Sequence, residues 1–404
     1  MRQFTQPSSR ALLLFIFLVF HVTCISATRD QFQHWYPEFG FIFDRIIQDN
    51  CSSEYEFYLT AQENRTRWYE TSRWIGSGST ADLVSPLVEC IMTACPEYMK
   101  SNMASANVLL GLTPMILATL GSNVDETSVL AVIGNRPFLA LCLSAGSPAV
   151  LALRTFEYRD PIGLLNDRSG RLSPTFFPFY IECLIMILEY LTVFAAITNV
   201  ATEGYQLGRN IVLSFAPNYT YLFLLWCFFA PIVHICAALS LRLRIPGGGF
   251  ARSERHPQPS FSTQVKTFLI GYTPQQPPEK INALKSEVPL DLFLSWSLSL
   301  LTSAHVMLGT LAFSSALFIS VRDSVAVITR LMGSVIVCRV VLMYELAKLR
   351  HLYNLKESEV ENEVGEAGHN TYGESNYHLA DLEDYRENHQ ENYQSIVDGR
   401  VRTF

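Results

Sequence analysis

Six long apolar runs, at 104–121, 138–153, 179–200, 219–241, 292–320 and 324–346, constrain this chain more than any other feature. Inside hydrocarbon a backbone amide has no water to bond. Runs of this kind must therefore become helices that satisfy their own backbone. The chain reads as an all-α polytopic transmembrane helix bundle, with the lipid bilayer as its first partner. Composition agrees: 49% of the 404 residues are hydrophobic and only 17% are charged, too apolar for an ordinary soluble enzyme. No basic cluster is interleaved with aromatic residues, so nucleic-acid binding has no support.

The last four runs can span a hydrocarbon core of ~30 Å at 1.5 Å per residue. Run 104–121 is marginal and carries Gly111 and Pro114. Run 138–153 reaches only about 24 Å and contains Gly146, Ser147 and Pro148.

Residues 1–27 have the form of a signal peptide: Arg2 and Arg10, an apolar stretch over 11–20, then Ile25, Ser26 and Ala27. An uncleaved anchor helix is the alternative. Residues 28–103 then form a small luminal or extracellular helical domain. A helix is expected over Pro37 to Asp49, and Ser85-Pro86 has the form of a helix start. Asn50, Asn64 and Asn218 head glycosylation sequons. Cys51, Cys90 and Cys95 allow one disulfide with one thiol left over, and the sequence does not choose the pair. No fourth ligand is spaced for zinc, and no metal or cofactor is expected.

Sidedness bears on the number of spans. Arg154, Arg159, Arg168 and Arg171 follow the second run, Arg242 and Arg244 the fourth, and Lys348 and Arg350 the last. The positive-inside rule puts all three groups in the cytosol. From a luminal start this takes an odd number of crossings before Arg154, which favours five spans with 138–153 re-entrant. Six spans are the rival. Loop 242–291 is proline- and glycine-rich and reads as mobile. The tail, 347–404, is acidic and reads as disordered. Tyr393 and Ile396 in that tail have the spacing of an adaptor-read sorting signal.

Three stretches carry a resemblance: Ser105 to Gly121 (SANVLLGLTPMILATLG), Asn135 to Val150 (NRPFLALCLSAGSPAV) and Gly309 to Arg350 (GTLAFSSALFISVRDSVAVITRLMGSVIVCRVVLMYELAKLR). They resemble an uncharacterised family of multi-spanning integral membrane proteins of filamentous ascomycete fungi. The likeness covers roughly Leu87 to Arg350. It implies fungal source and architecture, and carries no chemistry.

Charge is expensive in hydrocarbon, so intramembrane polar residues should face the bundle interior. Glu182 and Glu189 are seven apart and share one helix face, which continues to Ala196 and Glu203. Arg330 and Arg339 are nine apart on the last run and point to opposite faces. From the basic-loop side Glu182 lies about 5 Å deep, Arg339 about 10 Å and Glu189 about 15 Å. Arg339 is therefore expected to pair with one of these two acids, and Arg330 to snorkel. His234 and His305 are also intramembrane. Each reads as a hydrogen-bonded packing residue, with proton relay or metal ligation as the sharper alternative. The Glu and Arg residues either lock helices in register or form a coupling site.

No catalytic residues are assigned, because neither a nucleophile elbow nor a phosphate loop is present. Three functions compete. The first is a non-catalytic membrane protein that senses or scaffolds, with an unknown protein or small-molecule ligand. The second is a proton- or small-solute-coupled transporter using the intramembrane Glu, Arg and His residues. The weakest is an intramembrane enzyme. The expected location is the secretory pathway, at the plasma membrane rather than the vacuole.

Overall fold

The computed structural model describes residues 31–63, 81–151, 178–217, 219–245 and 289–371. Three helices open the described chain: α1 (Gly40–Asn50), α2 (Ser52–Glu63) and α3 (Ala81–Ala94). Next come α4 (Glu97–Leu120) and the short α5 (Val124–Val132) and α6 (Pro137–Gly146). The rest are α7 (Phe179–Asn210), α8 (Leu222–Arg244), α9 (Pro289–Ser314) and α10 (Val321–Thr371). Strands β1 (Val212–Leu213) and β2 (Ala316–Leu317) pair antiparallel. This two-residue ribbon is the only strand pairing among the described residues, and no pattern in the sequence announces it.

Among the described residues five helices are long and apolar enough to cross a membrane: Glu97–Leu120, Tyr180–Asn210, Leu222–Arg244, Phe293–Ser314 and Val321–Tyr353. The chain is a multi-pass membrane protein. Run 138–153 is not a span. Its helix α6 has 10 residues, about 15 Å at 1.5 Å per residue. Pro137 starts α6 where a missing amide costs nothing, and Pro148 follows its end.

The helices do not keep the bounds of the apolar runs. Helix α4 begins at Glu97 rather than 104, and α7 continues to Asn210 rather than stopping at 200. The runs at 292–320 and 324–346 meet at a break, where α9 ends at Ser314 and α10 starts at Val321. Hydropathy marks the hydrocarbon depth, whereas the backbone ladder carries a helix on into the headgroup region. The same reasoning corrects part of the tail: residues 347–371 are helical, not disordered. Glu, Lys and Leu extend an existing helix at little cost. The helix expected from Ser85 begins earlier, at Ala81, and takes Pro86 into its interior. The signal, Asn64, Asn218, most of loop 242–291, and Tyr393 with Ile396 lie outside the described residues.

Residues up to Tyr353 belong to one compact unit. The N-terminal helices bury Phe43, Ile47, Tyr58, Leu87 and Ile91 in a core that also takes Met99 and Met103 from the start of α4. A Cys51–Cys90 disulfide ties the end of α1 to α3, leaving Cys95 as a buried free thiol. Burial in this apolar core pushes the Cys95 thiol up from its ordinary range. Phe318, just after β2, enters the same core. With Val212 and Leu317 it joins the membrane bundle to the N-terminal helices.

In the bundle α4 packs on α9, α9 on α8, and α8 on α5, α6 and α7. Small residues permit the close approaches. A side chain at Gly309 would collide with Trp226 and Pro114, and one at Gly111 would press Ser314. Trp226 and His305 join α8 to α9 reciprocally. The Trp226 indole donates to the His305 carbonyl at 3.1 Å, and His305 Nε2 meets the Trp226 carbonyl at 3.1 Å.

Candidate functional site

Helix α7 places Glu182, Glu189, Ala196 and Glu203 at seven-residue intervals, so all four lie on one stripe. The three acids are buried. From Glu182 to Glu203 the stripe rises about 31 Å, close to the thickness of the hydrocarbon core. The stripe faces α10, which runs antiparallel to it. Lys348 Nζ donates to Glu182 Oε2 at 2.6 Å. Arg330 Nη1 lies 2.6 Å from Glu203 Oε2. Between these pairs the Asn199 amide donates to Ser334 Oγ at 2.8 Å and to the Arg330 carbonyl at 2.9 Å. The seam between α7 and α10 is thus laced by polar contacts through the membrane depth.

Glu189 is held differently. Arg136, at the turn between α5 and α6, puts Nη1 2.6 Å from Glu345 Oε2 and 3.6 Å from Glu189 Oε2. All three side chains are buried. One guanidinium therefore joins α7, α10 and the short-helix hairpin.

The expected pairing of Arg339 with Glu182 or Glu189 is corrected here. Arg339 forms a bidentate pair with Glu126 in the first turn of α5. Glu126 also accepts the Asn123 N–H at 3.0 Å, which caps α5. Counting residues along the spans cannot place the short helix α5, which brings Glu126 to Arg339. Arg330 keeps 47% of its side chain exposed, in keeping with snorkelling from an otherwise buried pair.

The ends of the short helices meet near the middle of the bundle. A side chain at Gly121, just past α4, would collide with Ala149, just past α6. Gly146 sits where a Cβ would come within 2.8 Å of Cys338 Sγ and 3.2 Å of the Ala196 Cβ. Cys338 and Ala196 are close to the midpoints of their spans. The small residue in the acidic stripe is what lets the end of α6 reach this depth. His234, midway along α8, binds both breaks: Nδ1 is 2.6 Å from Thr127 Oγ1 of α5, and the ring also bonds the backbone at Ala149. His234 and His305 are thus both bonded within the bundle and lie in different contacts.

Arg136, Glu126, Glu345 and Lys348 were missed in the sequence. Arg136 and Glu126 fall between apolar runs and read as loop residues. Glu345 and Lys348 fall where charge ends the last run. One signal was available: Asn123 and Glu126 have the spacing of a helix cap, which announces a buried helix start. Among the described residues no group of three or more His, Cys, Asp or Glu could hold a metal ion.

No family model, curated protein or solved structure matches the chain.

Proposed function

We propose that the chain is a non-catalytic membrane protein of the secretory pathway, delivered to the plasma membrane, whose glycosylated exoplasmic domain senses or scaffolds. The observation that carries this reading is Phe318. Its ring makes edge contacts with Phe32, Trp35 and Phe43 of the N-terminal core, at 6.3, 5.5 and 5.2 Å. Three residues later α10 begins. Ser320 and Asp323 at that start also bond Glu38 of the N-terminal domain. A ligand that shifts the N-terminal helices therefore acts directly on the helix carrying Arg330, Arg339 and Lys348. Orientation is supported by Arg242, Arg244, Lys348 and Arg350, which lie toward the bundle end opposite that domain. Asn50 is exposed at the end of α1, accessible to a glycan. Membership of the fungal membrane-protein family resembled over 87–350 belongs to the same proposal.

The test has two parts. Protease protection of a tag after Phe404, with glycan mapping at Asn50 and Asn64, should give a cytosolic tag and luminal glycans. Hydrogen exchange on the full chain in membranes should then change together in residues 31–60 and at the start of α10 when Phe318 is replaced. Independent exchange in the two regions removes the basis for sensing.

A second reading, proton- or solute-coupled transport, is favoured by the helix breaks that meet at His234. Discontinuous helices at mid-membrane are a recurring way to build solute sites. It predicts pH-driven flux in sealed vesicles, lost in His234→Ala with the protein still folded. The enzyme reading gains nothing from the geometry.

A further inference from the structure

The contact around Arg136 is unbalanced. Two carboxyls, Glu189 and Glu345, face one guanidinium, and none of the three side chains is more than 7% exposed. Two neighbouring ion pairs are each matched within themselves. From α7 and α10, Glu182 and Lys348 form their own pair at 2.6 Å. From α5 and α10, Glu126 and Arg339 form another. Glu189 Oε1 is buried with no hydrogen-bond partner. With both carboxyls ionised the cluster would hold a net negative charge away from water, which is unfavourable. Two carboxyls that share a buried site avoid that cost by keeping one proton between them.

We propose that Glu189, Glu345 and Arg136 form a proton-binding site inside the bundle, in which the two carboxyls share a single proton. The proton comes from water and forms one O–H bond. That hydroxyl donates to the other carboxylate, and the guanidinium neutralises the remaining charge. The pair titrates as a unit, so the proton belongs to neither residue alone. The site also has a structural consequence. Arg136 is the turn of the α5–α6 hairpin, whose two helices reach the mid-membrane junction at His234. Proton release leaves two like charges on one cation and loosens the hold of α7 and α10 on that turn. The inference stands apart from sensing and transport, since either could use a proton-set hairpin.

The experiment is infrared spectroscopy of the purified full-length protein in lipid at neutral pH. The wild type should show the carbonyl band of one buried protonated carboxyl per chain. Glu189→Gln and Glu345→Gln should each lose that band completely, because either change leaves one carboxylate matched to Arg136. Glu126→Gln should keep it, since Glu126 pairs with Arg339. A wild type without the band overturns the proposal, and so does a band that survives both glutamine variants. A sodium requirement for wild-type stability, with no band, would also overturn it by placing a metal cation where the proton should be. If the glutamine variants do not fold, chemical labelling of the wild type decides. Hydrophobic carbodiimide reacts with protonated carboxyls in apolar surroundings. Peptide mapping should find the adduct on Glu189 or Glu345, and an adduct on neither refutes the site.

Discussion

Replacing Phe318 separates burial from backbone strain at the joint between the N-terminal domain and the membrane bundle. Phe318 is 1% exposed and touches three aromatic rings edge-on. Phe318→Ala removes that burial and leaves a cavity, together worth about 3–5 kcal/mol. The backbone adds a second effect. Phe318 has φ 69°, in the left-handed region that costs an L-residue about 1–2 kcal/mol. Alanine keeps this strain and glycine relieves it. Glycine also loses about 0.5–1 kcal/mol more to chain entropy than alanine. Phe318→Gly should therefore be more stable than Phe318→Ala by about 0.5–1 kcal/mol, the reverse of the order in a helix. The assay is chemical unfolding in mild detergent, followed by limited proteolysis of the N-terminal domain, with the helical signal of the bundle recorded in parallel. The domain should open at lower denaturant in both variants, alanine first. An order with glycine first would refute the strain argument. A loss below about 1 kcal/mol in both would refute the burial argument.

Removing the disulfide with Cys51→Ser and Cys90→Ser frees a loop of sequence separation 39, for which the loop-entropy model gives about 4 kcal/mol; proteolysis of the N-terminal domain with and without reductant should read the same loss. Lys348→Met takes from buried Glu182 its 2.6 Å partner and should cost about 3–5 kcal/mol. The double variant Lys348→Met/Glu182→Met should recover most of that loss in folded yield by size exclusion. Exchanging Glu189 and Arg339 should not rescue yield, because they are not partners. Exchanging Glu126 and Arg339 should rescue it in part, limited by the arginine then placed at the N-terminus of α5.

The spans were legible because hydrocarbon imposes its own length rule. Run 138–153 was too short, carried glycine and proline, and broke the charge rule if it crossed; the structure has a short helix there. The inward stripe of Glu182 and Glu189 was legible from seven-residue spacing alone. The N-terminal disulfide was legible only as three options, since pairing depends on how α1 and α3 meet. The partners of the stripe were not legible. Depth along a helix follows from counting residues, but azimuth against a neighbour depends on packing, and packing here is set by Gly146, Ala196 and Cys338 at one contact.

That contact also explains why Arg339 was assigned to the wrong acid. A count of spans treats the bundle as parallel rods, and in that picture the only acids within reach of Arg339 lie on α7. The hairpin of α5 and α6 is too short to be a rod, yet it occupies the interior beside α7 and α10. It brings Glu126 to Arg339, and it brings Arg136 between Glu189 and Glu345. Glu126 and Arg136 each complete a partner set that the spans alone leave open. Charges in the short segment and charges in the spans are therefore one design. The short hairpin that fails to cross supplies partners to charges in the helices that do. It follows that shortening or stiffening the α5–α6 turn should destabilise α7 and α10, although neither of those helices would be changed.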